Sequence, residues 1–388
     1  MKVFYILTKF PAPAETFAAS DIRGLAKKGI DVEVYAQRAR DAEYLEMVSQ
    51  RGLERIPIKS SSYTKVVKGL LLMFLSPLLT VSLFFRLIQD FSSLKHFFKL
   101  CALMPISFFI LQEVKNRSPD VVHLFWGHYP ALVGYLVLKS RLDSAVSIFL
   151  GAYDLEMKLN ISGYVARNAS FVFTHTYENM GALRSLGIPC DKINVVYRGV
   201  DVDYFRSENT VDIDRKKDQI VCAARLIPSK RIDKVIMLAQ AAPGFDFKVF
   251  GDGPQMKALT SMVEDLGLSQ RVNFTGHVSQ KVMYQAFEES KFFVFLSEKK
   301  GERLPNAVKE AMLAGCVCIV SKTPGIDELI SDGVDGIILK EVDVKYIAEL
   351  IRGLEEEEVT MISENARRKI VNCFDSSLLL NNYIEQWK

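Results

Sequence analysis

Two carboxylates at the ends of one short segment, Glu302 and Glu310, have types and a spacing that could do chemistry. Pro305 between them suits the first turn of a helix, and a helix N-terminus attracts phosphate through its free N–H groups and its dipole. Glu310 on the helix could accept hydrogen bonds from a ribose diol, and Glu302 on the preceding loop could bind hydroxyls of a sugar beyond the phosphates. Such a pair also arises by chance where 24% of residues are charged, so it needs support from other positions.

The elements that must position this pair follow from the surrounding pattern. Apolar side chains recur at helical spacing from Ala307 to Ala314, Gly315 is expected to end the helix, and an apolar strand over 317–320 comes next. Strands and helices alternate in this way from a first strand at 2–8 onwards, which predicts an α/β fold with parallel sheets. Ligands of such sheets bind at the carboxyl ends of strands, so the residues that follow strands are the candidates for a site.

Two strand ends in the second half carry groups suited to a diphosphate. Arg225 follows a strand predicted at 219–223, and Lys230 lies in the loop before the next helix. Arginine can form paired hydrogen bonds with phosphate oxygens, and lysine acts as a point charge. Gly251 and Gly253 follow the next predicted strand, where glycine lets the backbone approach a ligand closely. A solvated basic turn and an ordinary tight turn explain the same residues, so both alternatives stay open.

The first half offers candidates of the same kind. Glu15 and Thr16 end the loop after the first strand, and His128 and Asp154 follow two later predicted strands. An ordinary connecting loop and a structural histidine remain alternatives for these positions.

Length and composition limit the class of protein. The 388 residues suggest two domains, and 49% hydrophobic residues provide each with a core. A net charge of +3 is too small to favour a nucleic-acid partner. The six cysteines have no spacing typical of a metal site or a disulfide framework, which favours a reducing cytoplasm. The N-terminus is too short and too weakly apolar for a secretory signal and is predicted to form the first strand.

The predicted organisation has four parts. Residues 1–200 form an N-terminal domain with an apolar insertion at about 63–112. A polar linker at 201–218 leads to a C-terminal domain over 219–372. A final helix at 373–388 is a candidate for crossing back to the N-terminal domain.

The insertion 63–112 holds two nearly continuous apolar runs, 69–85 and 100–111, each interrupted by a proline. Basic residues flank both runs: Lys65, Lys68, Arg86, Lys95 and Lys99. Both runs are shorter than the roughly 20 apolar residues that a membrane-crossing helix needs. A membrane span, buried core helices and apolar helices that dip into a membrane surface all remain open. The basic flanks favour the last, because anionic headgroups attract cations.

Together these motifs resemble the family 4 retaining glycosyltransferases. The series is Arg225 with Lys230, then Gly251-Asp252-Gly253-Pro254, then Glu302 to Glu310, then Gly325, Glu328 and Gly336. Phe10-Pro11 with Glu15-Thr16-Phe17 is similar to bacterial members that build exopolysaccharides, including colanic-acid-type transferases. The resemblance covers most of the chain. It implies the GT-B fold, in which two Rossmann-like domains with parallel sheets face each other across an interdomain cleft.

The resemblance also implies roles for the candidates in the second half. Arg225 and Lys230 would hold the diphosphate of a nucleotide-sugar donor and stabilise charge on the leaving group. Glu302 would contact the transferred sugar, and Glu310 would bind the ribose. Further donor contacts would come from Gly251, Gly253 and the backbone of Leu304, Pro305 and Asn306. Such enzymes retain the anomeric configuration and need no metal or other cofactor.

The N-terminal domain would bind the acceptor, and Glu15, Thr16, His128 and Asp154 are its candidate contacts to acceptor or donor sugar. Two departures from the family pattern concern this domain. Leu150 stands where many members carry a histidine, a role that His128 could take over. Pro11, Ala12 and Pro13 replace the family's glycine pair in the first loop.

We therefore expect a hexosyltransferase-type glycosyltransferase of bacterial surface polysaccharide synthesis. It would lie in the cytoplasm, in peripheral contact with the anionic inner face of the membrane, and act on an oligosaccharide or lipid-linked glycan. A nucleotide-sugar epimerase of similar fold and a non-catalytic GT-B partner protein are the alternatives. The first would fail to transfer sugar, and the second would fail to turn over at all.

Overall fold

The computed structural model describes residues 1–12, 15–89, 93–206, 216–299 and 301–388. The chain divides into two compact units. The first unit comprises Met1–Arg198 with Leu379–Lys388, and the second comprises Gly199–Leu378. Pro13 of the first loop and positions 207–215 of the predicted linker lie outside the described residues.

In the first unit the described residues form a sheet of seven parallel strands, in the order β3-β2-β1-β4-β5-β6-β7. The strands are β1 (Lys2–Leu7), β2 (Asp31–Ala36), β3 (Ile58–Ser60), β4 (Val121–Leu124), β5 (Ala145–Phe149), β6 (Phe171–Thr174) and β7 (Ile193–Val195). Most of their side chains are buried, because helices cover both faces of a parallel sheet. The strand order reverses between β1 and β4, which is where such sheets bind ligands.

The helices of the first unit are α1 (Thr16–Lys27), α2 (Tyr44–Gln50), α3 (Tyr63–Leu75), α4 (Pro77–Gln89), α5 (Leu94–Arg117), α6 (Ala131–Lys139), α7 (Ala152–Met157), α8 (Asn160–Asn168) and α9 (Met180–Ser185). Short 3₁₀ turns lie at Tyr177–Asn179 and Cys190–Lys192. One core cluster joins the sheet to α5, α6 and α8. The cluster on the other face includes α1 and the C-terminal residues Leu380, Tyr383 and Trp387.

The described part of the second unit has a sheet of six parallel strands, in the order β10-β9-β8-β11-β12-β13. They are β8 (Lys216–Ala223), β9 (Asp246–Phe250), β10 (Val272–Gly276), β11 (Ser290–Phe295), β12 (Val317–Ser321) and β13 (Ile337–Leu339). Its helices are α10 (Val202–Arg206), α11 (Ile232–Ala241), α12 (Met256–Asp265), α13 (Gln280–Glu288), α14 (Asn306–Ala314), α15 (Ile326–Leu329), α16 (Val344–Gly353) and α17 (Glu356–Cys373), with a 3₁₀ turn at Pro228–Lys230. The last helix, α18 (Ser376–Trp387), begins in the second unit and lies mostly in the first, which contains Leu379–Lys388.

Three predicted boundaries differ from those observed. The predicted linker 201–218 is shorter, because α10 occupies its start and β8 begins at Lys216. The final helix begins at Ser376 rather than 373, because Asp375 accepts a hydrogen bond from the N–H of Ser377 where α17 has ended. The sequence predicts Pro305 in the first turn of α14, but it is the N-cap residue before that turn, and its backbone is extended (ψ 136°).

The two apolar runs of the insertion have opposite surroundings. α5 packs into the core of the first unit with residues such as Met104, Phe108 and Leu111. α3 and α4 meet at a bend of 102° and expose most of their apolar side chains. α3 nevertheless packs closely on α5, because a Cβ on Gly69 would lie 1.9 Å from the carbonyl oxygen of Pro105. By length and composition α5 could cross a membrane, as could the bent pair taken as one span, among the described residues.

Candidate active site

The predicted diphosphate and sugar residues of the second unit lie at its switch point, where strand order reverses between β8 and β11. Arg225 and Lys230 follow β8, and Glu302 follows β11. Register pairs the two strands through Phe292 and Ile220, so their carboxyl ends open at the same edge of the sheet.

Lys230 and Glu302 are joined directly. The Lys230 ammonium donates to Glu302 Oε2, and both side chains are more than four-fifths buried. Ser297 Oγ donates to the same carboxylate oxygen at 3.2 Å. The ammonium also lies 4.6 Å from the ring centroid of Phe295. Lys230 is therefore held in a fixed position with donors left over, since an ammonium carries three N–H bonds.

Arg225 differs from Lys230 in its surroundings. Its side chain is exposed, and within the described part of the chain no carboxylate lies within ion-pair distance of it. Its neighbour Arg231 is already engaged by Glu298 and Asp233. The end of β8 thus carries two cations: Lys230 is fixed by its ion pair with Glu302, and Arg225 has no such pair among the described residues. This arrangement suits a ligand with two negative charges.

Glu310 is the second predicted carboxylate, and it projects from α14 into a buried position. Burial raises its pKa from the usual 4.5 to about 7, while the Gln280 hydrogen bond and the Lys309 charge act in the opposite direction. Gln280 Nε2 donates to Glu310 Oε1 at 3.0 Å. The bond to Gln280 fixes one carboxylate oxygen, and the other remains for a ligand hydroxyl.

The loop before α14 has a constrained backbone. Leu304 is buried and lies in the left-handed region with φ 41°, and Pro305 follows it as the helix cap without a side-chain hydrogen bond. Asn306 starts the helix and accepts a 3.2 Å hydrogen bond from the buried Lys309. The first N–H groups of α14 lie where the sequence predicts an anion site, and anion binding at this position stays a prediction.

Gly251 and Gly253 serve a contact within the protein. A Cβ on Gly251 would lie 2.0 Å from the carbonyl oxygen of Ala224, and one on Gly253 would lie 2.4 Å from that of Leu226. Gly251 also has φ 123°. The close approach that requires glycine is thus between the loop after β9 and the loop that carries Arg225.

The first unit has its own pair at its switch point. His128 Nδ1 hydrogen-bonds Asp154 Oδ1 at 2.8 Å, and His128 Nε2 lies 3.5 Å from Thr8 Oγ1. The second carboxylate oxygen of Asp154 accepts from the N–H of Gly151 at 2.9 Å. A carboxylate on Nδ1 favours the tautomer whose Nε2 accepts a hydrogen bond.

The remaining candidates of the first unit flank this pair. Glu15 accepts a 2.7 Å hydrogen bond from Trp126 Nε1, and burial raises its pKa although that bond opposes the shift. Thr16 is exposed at the first position of α1. Leu150 is buried in the core, and its apolar side chain cannot form a hydrogen bond to a sugar. Leu150 therefore does not provide the histidine contact of the family, and His128, which bonds Asp154, is the imidazole that the sequence suggests in its place.

Sequence reasoning missed Ser297 and Gln280, the two residues that hold the carboxylates. Ser297 could have been found, because it directly follows the predicted strand ending at Leu296. Gln280 gave no such signal, since its relation to Glu310 depends on how α13 packs on α14. Among the described residues no group of three or more histidine, cysteine, aspartate or glutamate side chains could hold a metal ion.

Comparisons with known proteins indicate the class of enzyme. Residues 204–370 match the family model of glycosyl transferases group 1. The colanic acid biosynthesis glycosyltransferase WcaL of Salmonella typhimurium is 22% identical over 98% of this chain and 97% of its own length. The GDP-mannose:cellobiosyl-diphosphopolyprenol alpha-mannosyltransferase of Xanthomonas oryzae is 25% identical over 70% of this chain and 74% of its own.

The fold is also found among solved structures. The Anabaena protein Alr3699/HepE, crystallised with UDP, matches with a TM-score of 0.73 over 99% of both chains at 17% identity. Two parallel sheets with this order of strands, the matched family model and the relatives lead to one conclusion. The chain is a glycosyltransferase with the GT-B fold, and its residues 204–370 match the family model of group 1 glycosyl transferases.

Proposed function

We propose that this glycosyltransferase moves a hexose from a nucleotide sugar to a prenyl-diphosphate-linked oligosaccharide, with retention of anomeric configuration, in the synthesis of a bacterial surface polysaccharide. The WcaL and mannosyltransferase relatives support the pathway and the acceptor class. The motif series that resembles family 4 supports retention. The proposal assigns the donor to the second unit and the acceptor to the first.

The cation pair at the end of β8 carries the proposal. As the bond between the anomeric carbon and the diphosphate oxygen breaks, negative charge grows on the leaving nucleoside diphosphate. Lys230 is already positioned by Glu302 and Ser297, and Arg225 has no competing carboxylate in the described chain. Preorganised cations of this kind stabilise a transition state because they need little reorganisation when charge develops.

Proton transfer in this proposal needs no protein base. A phosphate oxygen of the donor takes the proton of the acceptor hydroxyl, while that hydroxyl attacks the anomeric carbon from the face that the leaving group vacates. The two carboxylates then have binding roles: Glu302 contacts the transferred sugar and Glu310 the ribose. Because Arg225 and Lys230 meet the diphosphate charge, we expect turnover to continue in EDTA.

The reaction is tested with purified protein, a panel of UDP-, GDP- and ADP-sugars and an extracted prenyl-diphosphate-linked glycan. Mass spectrometry should find the acceptor heavier by one hexose with one of the donors, and NMR of the product should show the anomeric configuration of that donor. An inverted linkage would refute retention. Release of free sugar without any transfer would refute the transferase assignment.

Contact with the inner face of the membrane is the second part of the proposal. Besides Tyr63, α3 and α4 expose ten large apolar side chains: Val67, Leu70, Leu71, Phe74, Leu75, Leu78, Val81, Phe84, Phe85 and Ile88. We call this set the hairpin face. A soluble surface rarely leaves so large an apolar area open to water. Each helix has 13 residues, about 20 Å at 1.5 Å per residue, so the bent pair suits one leaflet better than a span of about 30 Å.

Vesicle flotation tests this contact. Phe74 and Leu78, 82% and 88% exposed, can be changed to aspartate without loss of core packing. Phe74→Asp/Leu78→Asp should weaken binding to phosphatidylglycerol vesicles by about tenfold or more, because two apolar side chains lose their transfer into lipid. Leu45→Asp, at a 76% exposed site on α2, is the control and should bind as the wild type does. Equal binding by all three proteins would refute the hairpin face as the membrane contact.

A further inference from the structure

A group of cations lies near Tyr129 and its hydrogen-bond partner His96 in the first unit. Lys95 and Lys99 lie one turn apart on α5, and the Lys99 ammonium is 5.9 Å from the ring centroid of Tyr129. His96 Nδ1 shares a 2.9 Å hydrogen bond with the Tyr129 hydroxyl. Burial and Tyr153 raise the pKa of Tyr129 while the Arg38 charge lowers it, so Arg38 also lies near the phenol.

These cations have no acidic partner in the ranges that the structure describes. No carboxylate there lies within 4 Å of Arg38, Lys95 or Lys99, whereas Asp41 pairs with Lys9 and Asp154 bonds to His128. Their charge also acts on His96, whose pKa is lowered by partial burial and then by the charges of Lys99 and Lys95. A group of cations without acidic partners attracts an anionic ligand, because the bound anion reduces the repulsion among the cations.

Their place in the fold suggests which anion. Tyr129 directly follows His128, and the two rings lie 5.0 Å apart. The cations therefore border the His128–Asp154 pair, in the unit to which the proposed function assigns the acceptor.

An apolar surface adjoins the cations on their other side. Leu94 and Phe98 are exposed on α5 beside Lys95 and Lys99. Phe97 meets Phe84 of the hairpin face with ring centroids 6.3 Å apart. Hydroxyl-binding groups, cations and apolar surface thus follow one another, in the order of the glycan, diphosphate and prenyl chain of a lipid-linked acceptor.

We infer that Arg38, Lys95 and Lys99 bind the diphosphate of the acceptor, with its prenyl chain leaving along Leu94 and Phe98 toward the hairpin face. The inference rests on the proposed function, because it names the acceptor site of that reaction. Membrane lipid headgroups also carry phosphate, so the experiment distinguishes binding of the acceptor's diphosphate from binding of a headgroup.

Calorimetric titration with farnesyl diphosphate tests the site. The probe carries a diphosphate and a prenyl chain but no sugar, so it reports the cations alone. Lys95→Ala/Lys99→Ala should lose about tenfold or more in affinity, because two charge-assisted contacts disappear. Lys115→Ala removes an exposed lysine from the far end of the same helix and should bind as the wild type does. Equal affinity in the double variant and the control would overturn the inference.

Phosphatidylglycerol vesicles without prenyl diphosphate provide the second arm. We expect the double variant and Lys115→Ala to bind these vesicles within about twofold of each other, since the hairpin face supplies most of the attraction. Loss of vesicle binding with unchanged farnesyl diphosphate affinity would assign the cations to headgroups and overturn the inference. Binding of the nucleotide sugar by the wild type, measured in parallel, separates the outcomes: if it persists while farnesyl diphosphate does not bind, this inference fails and the donor half of the proposed function stands.

Discussion

The two units place polar side chains at equivalent edges of their sheets, yet the chemistry of the two edges differs. In the second unit, a lysine is held by a carboxylate and a serine, and a second carboxylate is buried against an amide. In the first unit, the bonded pairs are histidine with aspartate and tryptophan with glutamate. The first arrangement suits an anion and a diol, and the second suits hydroxyls.

This difference has a physical origin in the loops. The loop after β8 brings Arg225 and Lys230 within a few residues of each other, and Gly251 and Gly253 let the next loop pack against it. The corresponding first loop of the other unit contains Phe10 and Pro11, which are both buried. In our proposal the same topology thus produces a phosphate site or a hydroxyl site according to the residues of one loop.

The largest effect is expected at Lys230. Lys230→Ala should lower kcat/KM by roughly 30- to 800-fold, about 2–4 kcal/mol, because the contact is made most strongly as the diphosphate leaves. Lys257→Ala, an exposed lysine on α12, is the matched control and should keep wild-type kinetics. Wild-type turnover in Lys230→Ala would remove the basis for assigning the donor diphosphate to the second unit.

The next largest effect is expected in the affinity for the nucleotide sugar, which should depend on pH through the ionisation of Glu310. An ionised carboxylate accepts both hydrogen bonds of a diol, so with a pKa of about 7 the affinity for a nucleotide sugar should rise roughly tenfold from pH 6 to pH 8. A nucleotide sugar is the right ligand, because its diphosphate has no proton to lose in this range. Glu310→Gln should bind the nucleotide sugar more weakly, and its affinity should not change between pH 6 and pH 8. A flat profile in the wild type would contradict the ribose role.

The same pKa shift links Glu310 to stability. Since folding raises this pKa from 4.5 to about 7, the native state favours the protonated carboxyl. The stability it contributes is complete below pH 4.5 and is lost as the pH rises through 7. Glu310→Gln should therefore lose less unfolding free energy between pH 5.5 and pH 8 than the wild type does, which denaturant titration measures.

The smallest effect is expected in the first unit. His128→Ala should raise the KM for the lipid-linked acceptor roughly fivefold, because one hydrogen bond contributes about 1 kcal/mol net. Its affinity for the nucleotide sugar should stay that of the wild type. The reverse outcome, a lower affinity for the nucleotide sugar with an unchanged KM for the acceptor, would contradict the roles that we assign to the sheet edges of the two units.

Local pattern was sufficient to predict which residues reach the sheet edges. A strand followed by a loop and a helix places its loop at the carboxyl end whatever its neighbours are, and Lys230, Glu302, His128 and Asp154 were found in this way. Partners were not predictable. Trp126 bonds Glu15 across 111 positions because β1 and β4 are neighbours, a fact of strand order that no local pattern contains.

The insertion shows the same limit for burial. Its two apolar runs look alike in sequence, yet α5 is a core helix and the pair α3–α4 is exposed. What distinguishes them is contact: α5 packs against α3 as well as against α6 and the core of the unit, while α3 and α4 pack through one side, where Gly69 lies against Pro105, and expose the other side. Composition fixes how apolar a helix is, and only packing fixes how much of it meets water.

The most direct measurement is thermal unfolding of the wild type and Glu310→Ala with UDP, GDP, ADP and their sugars. A ligand that binds only the native state raises its stability by mass action. The account predicts that one nucleotide and its sugar raise the Tm of the wild type and that this shift is lost in Glu310→Ala, which also identifies the base. An equal shift in both proteins would contradict the account, because the donor would then bind away from α14.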